Sequence, residues 1–396
     1  MKNSGTRGGF QGFSEASDIG LALSGGGVRA MVFHMGVLRW LAETNRLHLV
    51  KHISSVSGGT LITGLVLSLC DWRWPTAAEF RDRVQPEVRR ILTEVDLANS
   101  AMHLLWQPRN WKFLMSRANV LAQAMEACWN IKGRLADLPT TPVWSINGTT
   151  AETGRRFRFK AGELGDYELG YCDGSDFKLS HAMAVSAAFP GLIGPLAIEA
   201  KEFKWQKRPQ WGLPIGTEQP VTLPFKRLHI YDGGLYDNLG LEPLFDVSDR
   251  AFKNDIRYLI CSDAGAPLAR AETRGPLHPF RIKKLLEIVM DQAWALRIRP
   301  LSKFLSANRC VGAYARIGVN PLTNLERYKD HKTVDSASLW ERQWLGDDAI
   351  ALALAHPTTL KPMTQAQYDR LERHGYESIC WNEVLFCSNS DGQTTC

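Results

Sequence analysis

Two short apolar runs, each ending in a glycine turn that opens onto a helix-like stretch, constrain this chain more than any other feature. Ile19–Leu23 leads into Ser24-Gly25-Gly26-Gly27 and then a helix-like segment from Val28 to about Glu43. Leu49–Val56 leads into Ser57-Gly58-Gly59 and a second helical run through Leu69. Short apolar runs bounded by glycine read as buried strands. Strand, glycine turn and helix, repeated, is the rhythm of a parallel sheet with crossover helices. Further strands are expected at 142–148, 155–160, 227–234 and 257–265, with a long surface loop around 204–226. A Trp/Arg-rich stretch over 72–140 reads as a helical insertion lying over the core, and the tail beyond 330 as helical.

Composition narrows the function. With 44% apolar and 22% charged residues over 396 positions, the chain is globular and long enough to bury a large core. The net charge of +6 is mild and no block of five basic residues occurs. Weak attraction to an anionic membrane surface fits this balance, whereas a nucleic-acid surface calls for a stronger one. The eight cysteines are scattered without a CxxC pair or a histidine at zinc spacing, so free thiols and no metal site are expected. The first residues, MKNSGTRGGF, lack the apolar core of a Sec signal peptide. Leu61–Cys70 is interrupted by Gly64 and too short to span a bilayer. A cytoplasmic or peripherally membrane-associated protein is expected.

The chemistry gathers at strand ends. Gly25, Gly26 and Gly27 expose backbone N–H groups at a helix N-terminus, a nest for a phosphate or a developing oxyanion. The string also satisfies a relaxed dinucleotide fingerprint, but that reading needs an acidic residue ending the second strand. This strand ends instead in Ser55-Val56-Ser57-Gly58-Gly59, the shape of a nucleophile elbow. A serine needs a base. The late histidines His278, His331, His356 and His374 stand at no obvious strand end. Asp232 does, in RLHIYDGG, followed by two glycines that permit close backbone approach.

GGGVRA, SVSGG and DGG, in this order, resemble the three signatures of the patatin-like phospholipases. Ser186-Ala187-Ala188-Phe189-Pro190-Gly191 is similar to a fourth block of that family. The resemblance implies a three-layer α/β/α fold with a mostly parallel central sheet. It implies Ser57 as nucleophile, Asp232 as base, and Gly25, Gly26 and Gly27 as the oxyanion hole. Phospholipid or other lipid ester substrates follow, with no metal or organic cofactor and no nucleic-acid partner. The expected organisation is an N-terminal arm (1–18), a catalytic domain (19–245) and C-terminal strands and helices (246–396). An acyltransferase using the same acyl-enzyme, and a silent lipid-binding protein on the same scaffold, are the alternatives.

Two positions depart from the family. Ser55 stands where glycine is usual and is expected to be merely accommodated by the turn; Ala30 replaces the glycine that ends the first motif. Arg29 matches the family's arginine, and either helps hold an anionic group or braces the loop. His34, His181 and Asp263 read as structural. The stretch 104–117 is either interfacial or packed inward. The stripe Ile282, Leu285, Leu286, Val289, Ala293 and Leu296 marks an amphipathic helix over 279–299, expected to pack on the core.

Overall fold

The computed structural model describes residues 18–114, 116–190, 193–210, 213–214, 216–268, 270, 280–328 and 342–387. Apart from Asp18, the expected N-terminal arm lies outside these, as do Gly191, His278 and His331. In chain order the strands are β1 (Ile19–Leu23), β2 (Val50–Ser55), β3 (Val143–Thr150), β4 (Arg156–Lys160), β5 (Glu163–Asp166), β6 (Gly170–Asp173), β7 (Leu196–Glu199), β8 (Gln206–Lys207), β9 (Gln219–Pro220), β10 (Arg227–Asp232), β11 (Phe245–Asp246), β12 (Ala251–Phe252), β13 (Tyr258–Asp263) and β14 (Gly312–Arg316). The longer helices are α1 (Gly27–Glu43), α2 (Gly58–Ser68), α3 (Gln85–Glu94), α4 (Leu97–Leu105), α5 (Ala118–Cys128), α6 (Leu179–Ser186), α7 (Phe280–Ala307), α8 (Pro321–Tyr328), α9 (Asp347–Leu354) and α10 (Gln365–Cys387).

The α/β architecture, the mostly parallel central sheet and the helical C-terminal extension are all present. Twelve of the described strands form one sheet whose parallel centre runs β14-β13-β1-β2-β3. The apolar runs are continuous because both faces of these strands are covered. Ile19, Leu21 and Leu23 of β1 point into one core cluster, while Ala22 points into the other. Tyr258 and Ile260 of β13 divide from Leu259 and Cys261 in the same way. The first cluster includes residues of α1, α2, α6 and α10, the second Ile298, Leu301 and Phe304 of α7.

β3 organises the site. Along one edge it carries β4, with Ile146 opposite Phe159 and Gly148 opposite Phe157. The other edge is shared by two strands running toward each other. Parallel β2 pairs as far as Ser55 opposite Ile146, and antiparallel β10 ends with Asp232 opposite Gly148. The C-terminal ends of β2 and β10 therefore converge. Short, glycine- or charge-bearing strands such as β5, β6 and β14 were not anticipated, because four or five residues of that composition carry little periodic signal.

The C-terminal extension docks on α1 by backbone contact. A Cβ placed on Gly375 of α10 would lie 1.9 Å from the Phe33 carbonyl oxygen, and one on Gly36 of α1 would lie 2.0 Å from that of Glu372. Cys70, Cys128, Cys172 and Cys261 are free, but Cys380 on α10 is disulfide-bonded, contrary to the expectation of free thiols throughout. Spacing along the chain carries no information on that pairing. Among the described residues no helix is long and apolar enough to cross a membrane.

Gly375→Ala forces the two helices apart and should cost about 1–3 kcal/mol of stability. Denaturant melts check this, and an unchanged midpoint would show that the crossing tolerates a side chain.

Candidate active site

Ser57 caps α2 with φ 48° and ψ −117°, a conformation that L residues rarely adopt and that stores strain. The glycines after it let the turn nest against the first glycine loop. A Cβ on Gly58 would lie 2.4 Å from the Gly27 carbonyl oxygen and one on Gly59 2.4 Å from that of Leu23. The strained turn is held from across the site, where the Ser57 N–H donates to both the carbonyl oxygen and the Oγ of Ser186, each at 3.1 Å.

Asp232 ends β10 and is buried. Its backbone N–H donates to the Ala188 carbonyl (3.2 Å), and its carbonyl accepts from Thr149 Oγ1 (2.8 Å). Residues 186 and 188 of the small-residue block thus hold the backbones of Ser57 and Asp232 together. The Asp232 carboxylate accepts the Gly234 N–H at 2.7 Å. Burial pushes its pKa up from the ordinary 3.8 to about 7, opposed by the Gly234 N–H and by the neighbouring Ser57 side chain. Ser57 and Asp232 are therefore brought side by side.

The three glycines of the nest are not equivalent. The Gly25 N–H donates to the Asn238 carbonyl at 3.1 Å. A Cβ on Gly25 would lie 3.1 Å from the Ser57 Cβ, so this residue is a spacer beside the serine. The N–H groups of Gly26 and Gly27 have no hydrogen-bond partner among the described residues. They stand at the start of α1, where a helix presents unpaired donors. Arg29 is buried two residues further on. Its Nε donates to the Ala264 carbonyl (3.2 Å) and its Nη1 to that of His356 (2.7 Å). These contacts brace the loop against the C-terminal segment. Burial lowers its pKa to about 10, with Asp263 opposing, and the charge survives at neutral pH.

Ser55 is not merely accommodated. Its Oγ accepts the Trp144 Nε1–H at 2.8 Å and lies 2.9 Å from Thr60 Oγ1, which lies 2.8 Å from Ser186 Oγ. All four side chains are buried, and the chain of hydroxyls ends on the Ser57 N–H. Asn147 supports the same strand end, its Nδ2 donating to the Ser55 carbonyl (2.9 Å) and to Ser54 Oγ (3.0 Å). Asn147, Thr149, Thr60, Trp144 and Asn238 escaped sequence reasoning; only Ser186 and Ala188 carried a signal, through their motif.

Among the described residues no histidine hydrogen-bonds Ser57 or Asp232. His34 lies under the nest with Nε2 donating to the Ser24 carbonyl (2.9 Å) and Nδ1 accepting from Ser262 Oγ (2.7 Å), and burial lowers its pKa to about 4. His181 contacts Ser180 and His374 accepts the Gly318 N–H. Asp263 accepts from Trp294 Nε1, Tyr314 Oη and the Gly265 N–H, a structural knot. No group of three or more described His, Cys, Asp or Glu residues is arranged to hold a metal ion.

Two apolar surfaces flank these elements. In the insertion, Trp106 and Trp111 are 74% and 63% exposed, with Met102 and Leu114 exposed beside them. The turn that follows is tied to the loop beyond Ala188, the Arg117 N–H donating to the Ile193 carbonyl and Ser116 Oγ to that of Pro195. On α7 the expected core packing is overturned for the stripe, since Leu285, Val289 and Leu296 face solvent. The helix instead buries its C-terminal part, Ile298, Leu301 and Phe304.

Residues 21–245, more than half of the chain, match the patatin-like phospholipase family, and the chain belongs to it. Among solved structures it is similar to human GIVD cytosolic phospholipase A2, at 12% identity and a TM-score of 0.50, covering 93% of this chain and 61% of that one. The same human enzyme in complex with methyl gamma-linolenyl fluorophosphonate gives 14% identity and a TM-score of 0.51, with 93% and 58% covered. The chain thus spans about three-fifths of these structures, and the likeness is one of fold. A search of curated proteins found no match.

Removing the Ser55 hydroxyl leaves the buried Trp144 N–H without an acceptor. Ser55→Ala and Ser55→Gly should each cost about 1–3 kcal/mol of stability and slow a soluble ester about tenfold. Unchanged melts and turnover for the glycine variant would return the hydroxyl to a passive role.

Proposed function

We propose that this chain is a lipid acyl hydrolase cleaving fatty acyl esters through an acyl-serine intermediate. The observation that carries the reading is the buried Asp232 carboxylate beside a strained, half-buried Ser57, with N–H groups of Gly26 and Gly27 that have no partner among the described residues.

Ser57 Oγ attacks the acyl carbonyl carbon as its proton passes to Asp232. The carbonyl oxygen takes up the negative charge and accepts hydrogen bonds from Gly26 and Gly27; one such donor is worth about 3 kcal/mol of barrier. Collapse expels the alcohol, which regains the proton from Asp232. Water then attacks the acyl-serine, giving a proton to the same carboxylate, and Ser57 leaves with it as the fatty acid departs. A base with a pKa near 7 suits both halves, because about half of it is ionised at neutral pH and it returns the proton readily. Phospholipids or other lipid esters are the substrates, met at a membrane surface. Exposed Trp106 and Trp111 support that approach, since indole rings favour the membrane interface.

Ser57→Ala and Asp232→Asn should both abolish turnover with the fold intact, while single replacements of the ten histidines leave activity measurable. A histidine variant as inactive as Ser57→Ala would require a triad.

Only the ionised carboxylate accepts a proton, so a base raised to about 7 loses activity as pH falls through that value. The rate constant kcat/KM on a soluble ester should drop about tenfold per pH unit below 7. A profile flat down to pH 5 would contradict the role given to the buried Asp232.

Trp106→Ala with Trp111→Ala should weaken vesicle binding while leaving a soluble short-chain ester nearly untouched. Equal losses on both, with a lowered melting temperature, would show a structural role instead.

A further inference from the structure

α7 is an amphipathic helix whose apolar side is turned outward. None of its described side chains before Ile298 is buried. Leu285, Ile288, Val289, Gln292 and Leu296 lie on one exposed face at helical spacing, with Leu285, Val289 and Leu296 at 57%, 62% and 65% exposure. A soluble helix normally buries such a stripe. Arg281 precedes the apolar centre, and Arg299 and Lys303 follow it on the same side of the helix, all exposed. Over its whole length the helix carries six basic residues against two acidic ones. Its other side reaches the site, where a Cβ on Gly234 would lie 3.1 Å from the Met290 methyl.

We propose that the exposed face of α7 is a docking surface for an anionic lipid bilayer, lying in the interface beside the Asp232 strand end. The reading deepens the proposed function and rests on it for the direction of substrate entry. The apolar centre enters the headgroup boundary while the flanking Arg and Lys side chains meet anionic headgroups. Charge selects this occupant. A second copy of the helix would bring like charges together, whereas an anionic surface complements them. Contact at α7 holds the bilayer one helix diameter, roughly 10 Å, from the Asp232 strand end.

The test uses the full chain carrying Ser57→Ala, so that binding is read without product formation and independently of the dyad. Sedimentation with phosphatidylcholine vesicles, with and without phosphatidylserine, measures affinity. The double change Leu285→Asp and Val289→Asp, at exposed positions, should weaken binding to the phosphatidylserine vesicles about tenfold or more. Arg281→Glu should do so mainly at low salt. With Ser57 restored, turnover of a soluble ester should stay within about twofold. Unchanged vesicle binding would overturn the proposal, as would a chain that never binds the vesicles. A concentration-dependent dimer dissolved by the same double change would assign the face to a second copy. Loss of soluble-ester turnover with a lowered melting temperature would make it structural.

Discussion

One edge of β3 is shared by two strands that run toward each other, and the site depends on that sharing. Because β2 pairs along β3 only to Ile146 and β10 enters from the other end to Gly148, the residues following one strand meet the last residue of the other. Neither Ser57 nor Asp232 could reach its partner from a sheet in which each strand ran the full edge. Asn147 and Thr149, side chains of β3 itself, then fasten the carbonyls of Ser55 and Asp232. Ser186 and Ala188 fasten the N–H groups of Ser57 and Asp232 from the opposite side.

The arrangement sets three costs against one another. Ser57 holds an unfavourable backbone conformation, Asp232 holds a carboxylate away from water, and Gly26 and Gly27 leave donors without a partner among the described residues. Each is a local loss that the surrounding contacts must offset. Buried Trp144, Ser55, Thr60 and Ser186 supply one continuous set of hydrogen bonds beneath the serine. Arg29 ties the loop to the C-terminal segment, and α10 lies against α1 at the Gly36–Gly375 crossing. The C-terminal extension thus supports the helix that starts at Gly27.

Much of this was legible in the sequence where the physics is local. A glycine run after an apolar strand states where backbone must approach backbone, and GGG, SGG and DGG mark three such places. The α/β class followed from the strand–turn–helix rhythm. Other features depend on partners distant along the chain. The use of the Ser55 hydroxyl required Trp144, 89 residues away, and could not be read from the elbow alone. The unequal roles of the three glycines required Asn238. The α7 stripe was legible as amphipathic but not in its direction, because periodicity states that a face is apolar and not what covers it.

The central claim is that Ser57, activated by a buried aspartate with no histidine between them, carries the acyl group. Rapid quenching of turnover on a slow soluble ester, followed by peptide mass spectrometry, tests it most directly. The account predicts a single acyl adduct, on Ser57, whose formation slows when the reaction is run well below pH 7. An adduct on any other residue, or continued turnover with Ser57 never acylated, would contradict it.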